Sequence, residues 1–165
     1  MKKQTLIACL LCLLLGCVTA GHSKKKGTVI LGQSGIMIPE YGLTVGVRYA
    51  PELEQLVPGY QVITIALTNN SLNQIRMDPL NDEWVVQTKS KKVKAINNLS
   101  LDNPQAWLRL PEEKRDIMEY PFQVPIGYTQ TFDIFVKDSH PISQFNAINY
   151  TNAATGLTFK ILNTR

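Results

Sequence analysis

Runs in which apolar and polar residues alternate constrain this chain more than any other feature. Leu43, Val45, Val47 and Tyr49 alternate with Thr44, Gly46 and Arg48. Ile63, Ile65 and Leu67 repeat the pattern ahead of Asn69-Asn70-Ser71, and Phe132, Ile134 and Val136 alternate with Asp133, Phe135 and Lys137. A side-chain period of two places every second residue on one face of a strand, so each run predicts a strand with one buried face. Trp84 and Val86 mark a further strand, joined through Lys89-Ser90-Lys91-Lys92 to Val93 and Ala95. Phe145 to Tyr150 and Leu157 to Leu162 flank a polar turn and predict a closing hairpin. Eight or nine short strands predict an all-β fold. Long irregular crossovers between them favour an antiparallel β-sandwich of immunoglobulin-like character over a barrel.

Two crossovers carry helical signals. Pro51-Glu52-Leu53-Glu54-Gln55-Leu56-Val57 opens on proline and acids, and Pro58-Gly59 stops it. Asp102-Asn103-Pro104 reads as a cap with proline at the first helical position, opening Gln105-Ala106-Trp107-Leu108-Arg109-Leu110. One or two short helices are therefore expected, with Leu53, Leu56, Trp107 and Leu108 either as lids over the sandwich core or as a partner surface. Val57-Pro58-Gly59-Tyr60 and Val124-Pro125-Ile126-Gly127-Tyr128 form a faint echo, read as two similar turns ahead of strands. Asn69, Asn98 and Asn149 each open an Asn-x-Ser/Thr triplet, which predicts surface loops and little more.

Catalytic and metal signatures fare poorly. Ser34 in Gly32-Gln33-Ser34-Gly35 lacks the second glycine of a nucleophile elbow, because Ile36 stands there. His22 and His140 are the only histidines, too few for a base together with a metal cluster, and His140 reads as a turn residue. Met37, Met77 and Met118 are widely spaced, as expected of packing residues. Asp78, Asp82 and Glu83 surround Pro79, where an acidic turn is expected over a cation site. Lys89, Lys91, Lys92 and Lys94 form the domain's one charge run; they suit an anionic partner, or an edge protected from self-pairing. No catalytic residue and no metal is assigned.

The N-terminal region differs in kind. Lys2 and Lys3 precede the ten-residue apolar run Leu6 to Leu15, too short to span a bilayer as a helix, which takes about 20 residues. Leu14-Leu15-Gly16-Cys17 closes the run and resembles the lipobox of bacterial lipoproteins. The resemblance implies cleavage between Gly16 and Cys17, a diacylglycerol thioether on Cys17 and acylation of the new amine. It also implies outer-membrane cargo in a Gram-negative source, since Val18 replaces the aspartate that commonly signals inner-membrane retention. The alternative is an ordinary secretory signal cut after Ala20. Residues 1–16 are thus read as the signal, 17–27 as a lipidated tether and 28–165 as the sandwich domain. No cofactor is expected beyond the covalent lipid.

Charge and cysteine use agree with an exported domain. The whole chain carries 17 Lys+Arg against 13 Asp+Glu, yet from Gly27 onward 12 basic residues face 13 acidic ones. A nearly neutral domain is not built to bind nucleic acid. Cys9 and Cys12 leave with the signal, so the mature chain holds Cys17 alone and has no internal disulfide. The expected role is a non-enzymatic binding or assembly module for another envelope protein. The alternatives are an envelope enzyme with a carboxylate pair acting on glycan or peptide, and a small-ligand or lipid carrier with a cavity between its sheets.

Overall fold

The computed structural model describes residues 28–31 and 42–163, so the expected signal (1–16), with Gly16, and the expected lipidated tether (17–27), with Cys17, lie outside the described residues. The alternating runs become strands, and two sheets pack face to face. One has the order β1 (Thr28–Leu31), β10 (Thr158–Leu162), β9 (Ala147–Thr151), β5 (Glu83–Gln87) and β6 (Lys92–Ala95). The second has β2 (Leu43–Tyr49), β3 (Tyr60–Asn69) and β8 (Thr129–Lys137). A two-residue pair, β4 (Ile75–Arg76) with β7 (Gln123–Val124), closes one side. Among the described residues all strand pairing is antiparallel except β1 on β10, which is parallel, a departure from the expected antiparallel sandwich.

The apolar parity of each run faces the other sheet. Val45, Val47, Ile63, Ile65, Leu67, Phe132, Ile134 and Val136 meet Trp84, Val86, Ile148, Tyr150, Phe159 and Ile161. Trp84 stacks on Tyr150 with ring centroids 4.2 Å apart and meets Phe132 edge-on at 5.7 Å. Side chains from both sheets thus interdigitate as a packed core.

The helical crossovers cover a different face from the one expected. They lie on the outer face of the β2-β3-β8 sheet, where Tyr60, Val62 and Phe135 form a second apolar cluster with Val57, Leu99, Leu110 and Met118. Leu53, Leu56 and Trp107 pack half-buried against this cluster, and Leu108 is 70% exposed. Four helical segments make the layer rather than one or two: a 3-10 turn Pro51–Leu56, α1 (Leu99–Asp102), α2 (Pro104–Arg109) and α3 (Glu112–Met118). Asn103 caps α2 as expected, accepting from the Ala106 amide, and Asn98 caps α1 through the Leu101 amide. Asn98 thereby serves a helix start, whereas Asn149 lies within β9.

Asn69 overturns the surface reading of its triplet. It is fully buried at the end of β3, and its amide donates to the Asn73 and Val124 carbonyls, both at 2.9 Å. The echoed turns are real but differ in register. Gly59 and Gly127 both take positive φ, 90° and 76°. Tyr60 turns into the second cluster while Tyr128 stays 64% exposed.

Asp133 sits on the helical-layer face of β8, 2% exposed, and accepts from Thr64 Oγ1 at 2.7 Å. Burial raises its carboxyl pKa, against the opposing pull of the Thr64 bond and the Arg48 charge. A carboxyl raised on folding adds stability below its unfolded pKa, and that increment is lost as pH rises through the folded value. Asp133→Asn keeps the acceptor for Thr64 without the buried charge. Its melting temperature is therefore expected above the parent's at pH 7, with the gap closing on acidification; thermal scans at several pH values read it out.

Candidate functional site

The lysine run builds an edge. Thr88 closes the β5–β6 hairpin: its amide donates to the Lys91 carbonyl at 2.9 Å, and its Oγ1 accepts from the Lys91 amide at 3.1 Å. β6 then pairs with β5 on one side, and its Val93 and Ala95 side chains turn inward. Its other side belongs to no strand of the sheet. Ile96, immediately after β6, exchanges both backbone bonds with Phe135 of β8, at 2.7 and 2.8 Å. Backbone groups in a strand alternate sides, so Lys92 and Lys94 point theirs the same way as Ile96, to the open edge. Two sheets joined at one bridge therefore diverge and leave, among the described residues, a short row of outward donors and acceptors at Lys92 and Lys94.

A groove of about 850 Å³ follows that row. Lys91, Lys92 and Lys94 border it on the β6 side, with Lys137 and His140 across it. Pro79, Leu80 and Leu101 line it with apolar surface; Leu80 is 71% exposed and Leu101 61%. Asp102 also lines the groove and Lys94 Nζ lies 3.8 Å from Glu83 Oε1, so four lysines face two carboxylates and the groove keeps a net positive charge. His140 is placed by Gln61, which donates to its carbonyl at 2.7 Å and accepts from the Ile142 amide at 3.0 Å. His140 thus sits in a turn, as the sequence predicts.

A buried carboxylate fixes the far wall. Asp82 is 5% exposed, and its Oδ2 accepts from Tyr120 Oη at 2.8 Å, Tyr150 Oη at 3.1 Å and the Asp78 amide at 3.0 Å. Its Oδ1 accepts from the Ala153 amide at 2.7 Å, and Trp84 Nε1 donates to Tyr120 Oη at 3.0 Å. Burial, together with the Asp82 charge, pushes both tyrosine hydroxyls above their ordinary range, so they remain donors. Asp78 caps its own loop: Oδ1 accepts from the Leu80 and Asn81 amides, and Oδ2 from Asn81 Nδ2. These bonds, that from Asn81 foremost, hold the Asp78 carboxyl below its ordinary range. Asp78, Asp82 and Glu83 therefore do three separate jobs: a loop cap, a buried anchor and an edge charge. The acidic turn is the reading this arrangement matches.

Among the candidates named from sequence, Leu53, Leu56 and Trp107 share the second apolar cluster, and Leu108 points away from it. The four do not form one exposed patch. Met77 and Met118 are buried packing residues, 5% and 2% exposed, and Met37 lies outside the described residues, as do Ser34 and His22. Pro79, Leu80, Leu101 and Lys137 carried no signal of their own before the fold brought them to β6. Comparison of this chain with protein-family models, with curated proteins and with solved structures finds no significant match in any of the three.

Proposed function

We propose that this chain is a non-enzymatic binding module, held at the cell envelope by lipid on Cys17, that takes an extended acidic segment of another envelope protein along β6. The lipobox supports the anchor, and with Val18 it favours the outer membrane of a Gram-negative cell. The observation that carries the binding role is the open β6 edge beside a basic groove. Strand addition uses backbone bonds for affinity and alternating side chains for specificity. Lys92 and Lys94 repel a second copy of their own edge yet attract acids placed at alternate positions of an incoming strand.

The defined probe is a peptide of alternating glutamate and valine, titrated into the 15N-labelled protein. The amide signals of Lys92 and Lys94 are expected to move most. Lys92→Glu with Lys94→Glu is expected to weaken binding tenfold or more at low salt, and Lys94→Pro, which removes one outward donor, several-fold. Leu53→Glu and Leu108→Glu are expected to leave it unchanged. Equal binding by the parent and the double glutamate variant rules out the β6 reading; loss only in the Leu53 or Leu108 variants moves the surface to the crossovers.

A further inference from the structure

The two ends of the sandwich differ in chemistry. At one end lie the turn after β3, the turn before β8 and the β9–β10 turn. Asn69 accepts from the Gly127 amide at 2.7 Å and donates its own amide to the Tyr128 carbonyl at 3.0 Å, which ties the first two together. Asn152 Nδ2 donates to the Arg76 carbonyl at 2.8 Å, which brings in the third. The chain segment that follows Cys17 arrives at the same end, because Thr28 opens β1 opposite Thr158, the first residue of β10.

This end carries no formal charge over long stretches. Residues 67–75, 121–132 and 151–159, which make these turns and the strand ends beside them, contain no Asp, Glu, Lys or Arg, in a chain that is 18% charged; Arg76, Asp78 and Glu83 stand beside the turns, Glu83 opposite Thr151 at the start of β5, and Asp82 is buried. In their place are Asn, Thr, Ser and Gln, with Leu72 91% exposed, Tyr128 64% and Ile126 53%. The opposite end carries Lys89 and Lys91 at the β5–β6 hairpin and Lys137 and Asp138 after β8.

We infer that the uncharged end rests on the lipid surface that holds Cys17, with Leu72, Ile126 and Tyr128 in the headgroup zone. The inference depends on the lipid-anchor reading of Cys17. Ten residues, 18–27, separate Cys17 from β1, and such a length reaches at most about 35 Å. The end where β1 begins is therefore held closest to the membrane. Charged groups lose hydration at such an interface, whereas uncharged amides and hydroxyls lose less, and tyrosine is enriched there. Lys24 to Lys26 ahead of β1 have the sign that anionic headgroups attract, while Arg76 at this end is offset by Asp78 and Glu83.

The test uses the full lipidated protein in vesicles of phosphatidylethanolamine and phosphatidylglycerol. Single cysteines replace Leu72, Tyr128, Leu108 or Lys91, all exposed positions, and each carries a nitroxide label. The lipidated Cys17 does not react, so each label is unique. Accessibility to oxygen, relative to a water-soluble nickel chelate, is expected to be several-fold higher at positions 72 and 128 than at 91 and 108. Equal ratios on vesicle-bound protein overturn the inference while leaving the anchor intact. Protection of positions 72 and 128 from both reagents overturns it in favour of a protein contact. Label on Cys17, with a mature mass lacking acyl groups, removes the anchor and the inference together.

Discussion

Asp82→Ala is expected to unfold much of the protein's stability margin. Four donors converge on this carboxylate, two of them hydroxyls of buried tyrosines. The substitution leaves Tyr120 Oη, Tyr150 Oη and two backbone amides facing a void. Each unpaired buried donor costs about 1–3 kcal/mol and severed buried charge networks cost about 3–5 kcal/mol, so a loss of about 4 kcal/mol is expected. A domain of this size has only about 5–15 kcal/mol in total. Asp82→Asn keeps an acceptor oxygen for the two tyrosines and the Asp78 amide but turns an NH2 toward the Ala153 N–H, so about half that loss is expected. Urea unfolding with an unchanged slope measures both. A loss under about 1 kcal/mol for the alanine variant would show that the loop from Asp78 to Asp82 is held by something else.

Trp84→Ala is expected to be comparably severe, at about 4 kcal/mol, the range for removing a large buried aromatic. Trp84 is fully buried, stacks on Tyr150 and donates to Tyr120, so it touches both hydroxyl donors of the Asp82 node. Trp84→Phe retains most of the packing and loses the indole donor, for an expected cost of about 1–2 kcal/mol. The alanine substitutions at 82 and 84 share partners, so their double variant is expected to lose less than the sum by at least about 0.5 kcal/mol. Additivity within error in the urea series would separate the aromatic stack from the carboxylate node. Because the node sets the Pro79-Leu80 wall of the groove, a milder variant such as Trp84→Phe also checks whether peptide binding at β6 depends on the wall's position.

The strands were legible because each sheet buries one parity of side chains, and a period of two survives any amount of loop variation. The helical layer was only half legible. Caps at Asn103 and Pro104 announced α2, but α1 has four residues, too few to show a period. Amphipathic crossovers declare an apolar side without saying which surface receives it. A signal did exist: β8 is buried from Phe132 through Val136 on both parities, and Val62 and Phe135 stand where a solvent-facing strand would be polar. Asp82 was illegible for a different reason. Three of its partners come from residues 38, 68 and 71 positions away, and nothing near it in sequence distinguishes it from Asp78. The groove is likewise a product of topology. Lys92 and Lys94 were visible as charge, but their outward backbone became apparent only once Ile96 was seen bonded to Phe135.

The parallel seating of β1 on β10 has a mechanical consequence. If a partner binds β6 and lipid holds Cys17, as proposed, the two attach to opposite edges of the same five-stranded sheet, and movement of either one puts that sheet under tension. The pull reaches β1 at Thr28 and runs along the strand, because the strand begins at the end where the chain arrives. Bonds across the four-residue pairing are then loaded together in shear instead of being peeled off one by one. Under force the lifetime of such a seam is set by its rupture rate rather than by equilibrium stability. In that arrangement β1 acts as the domain's strain relief, yielding before the core between the sheets is disturbed.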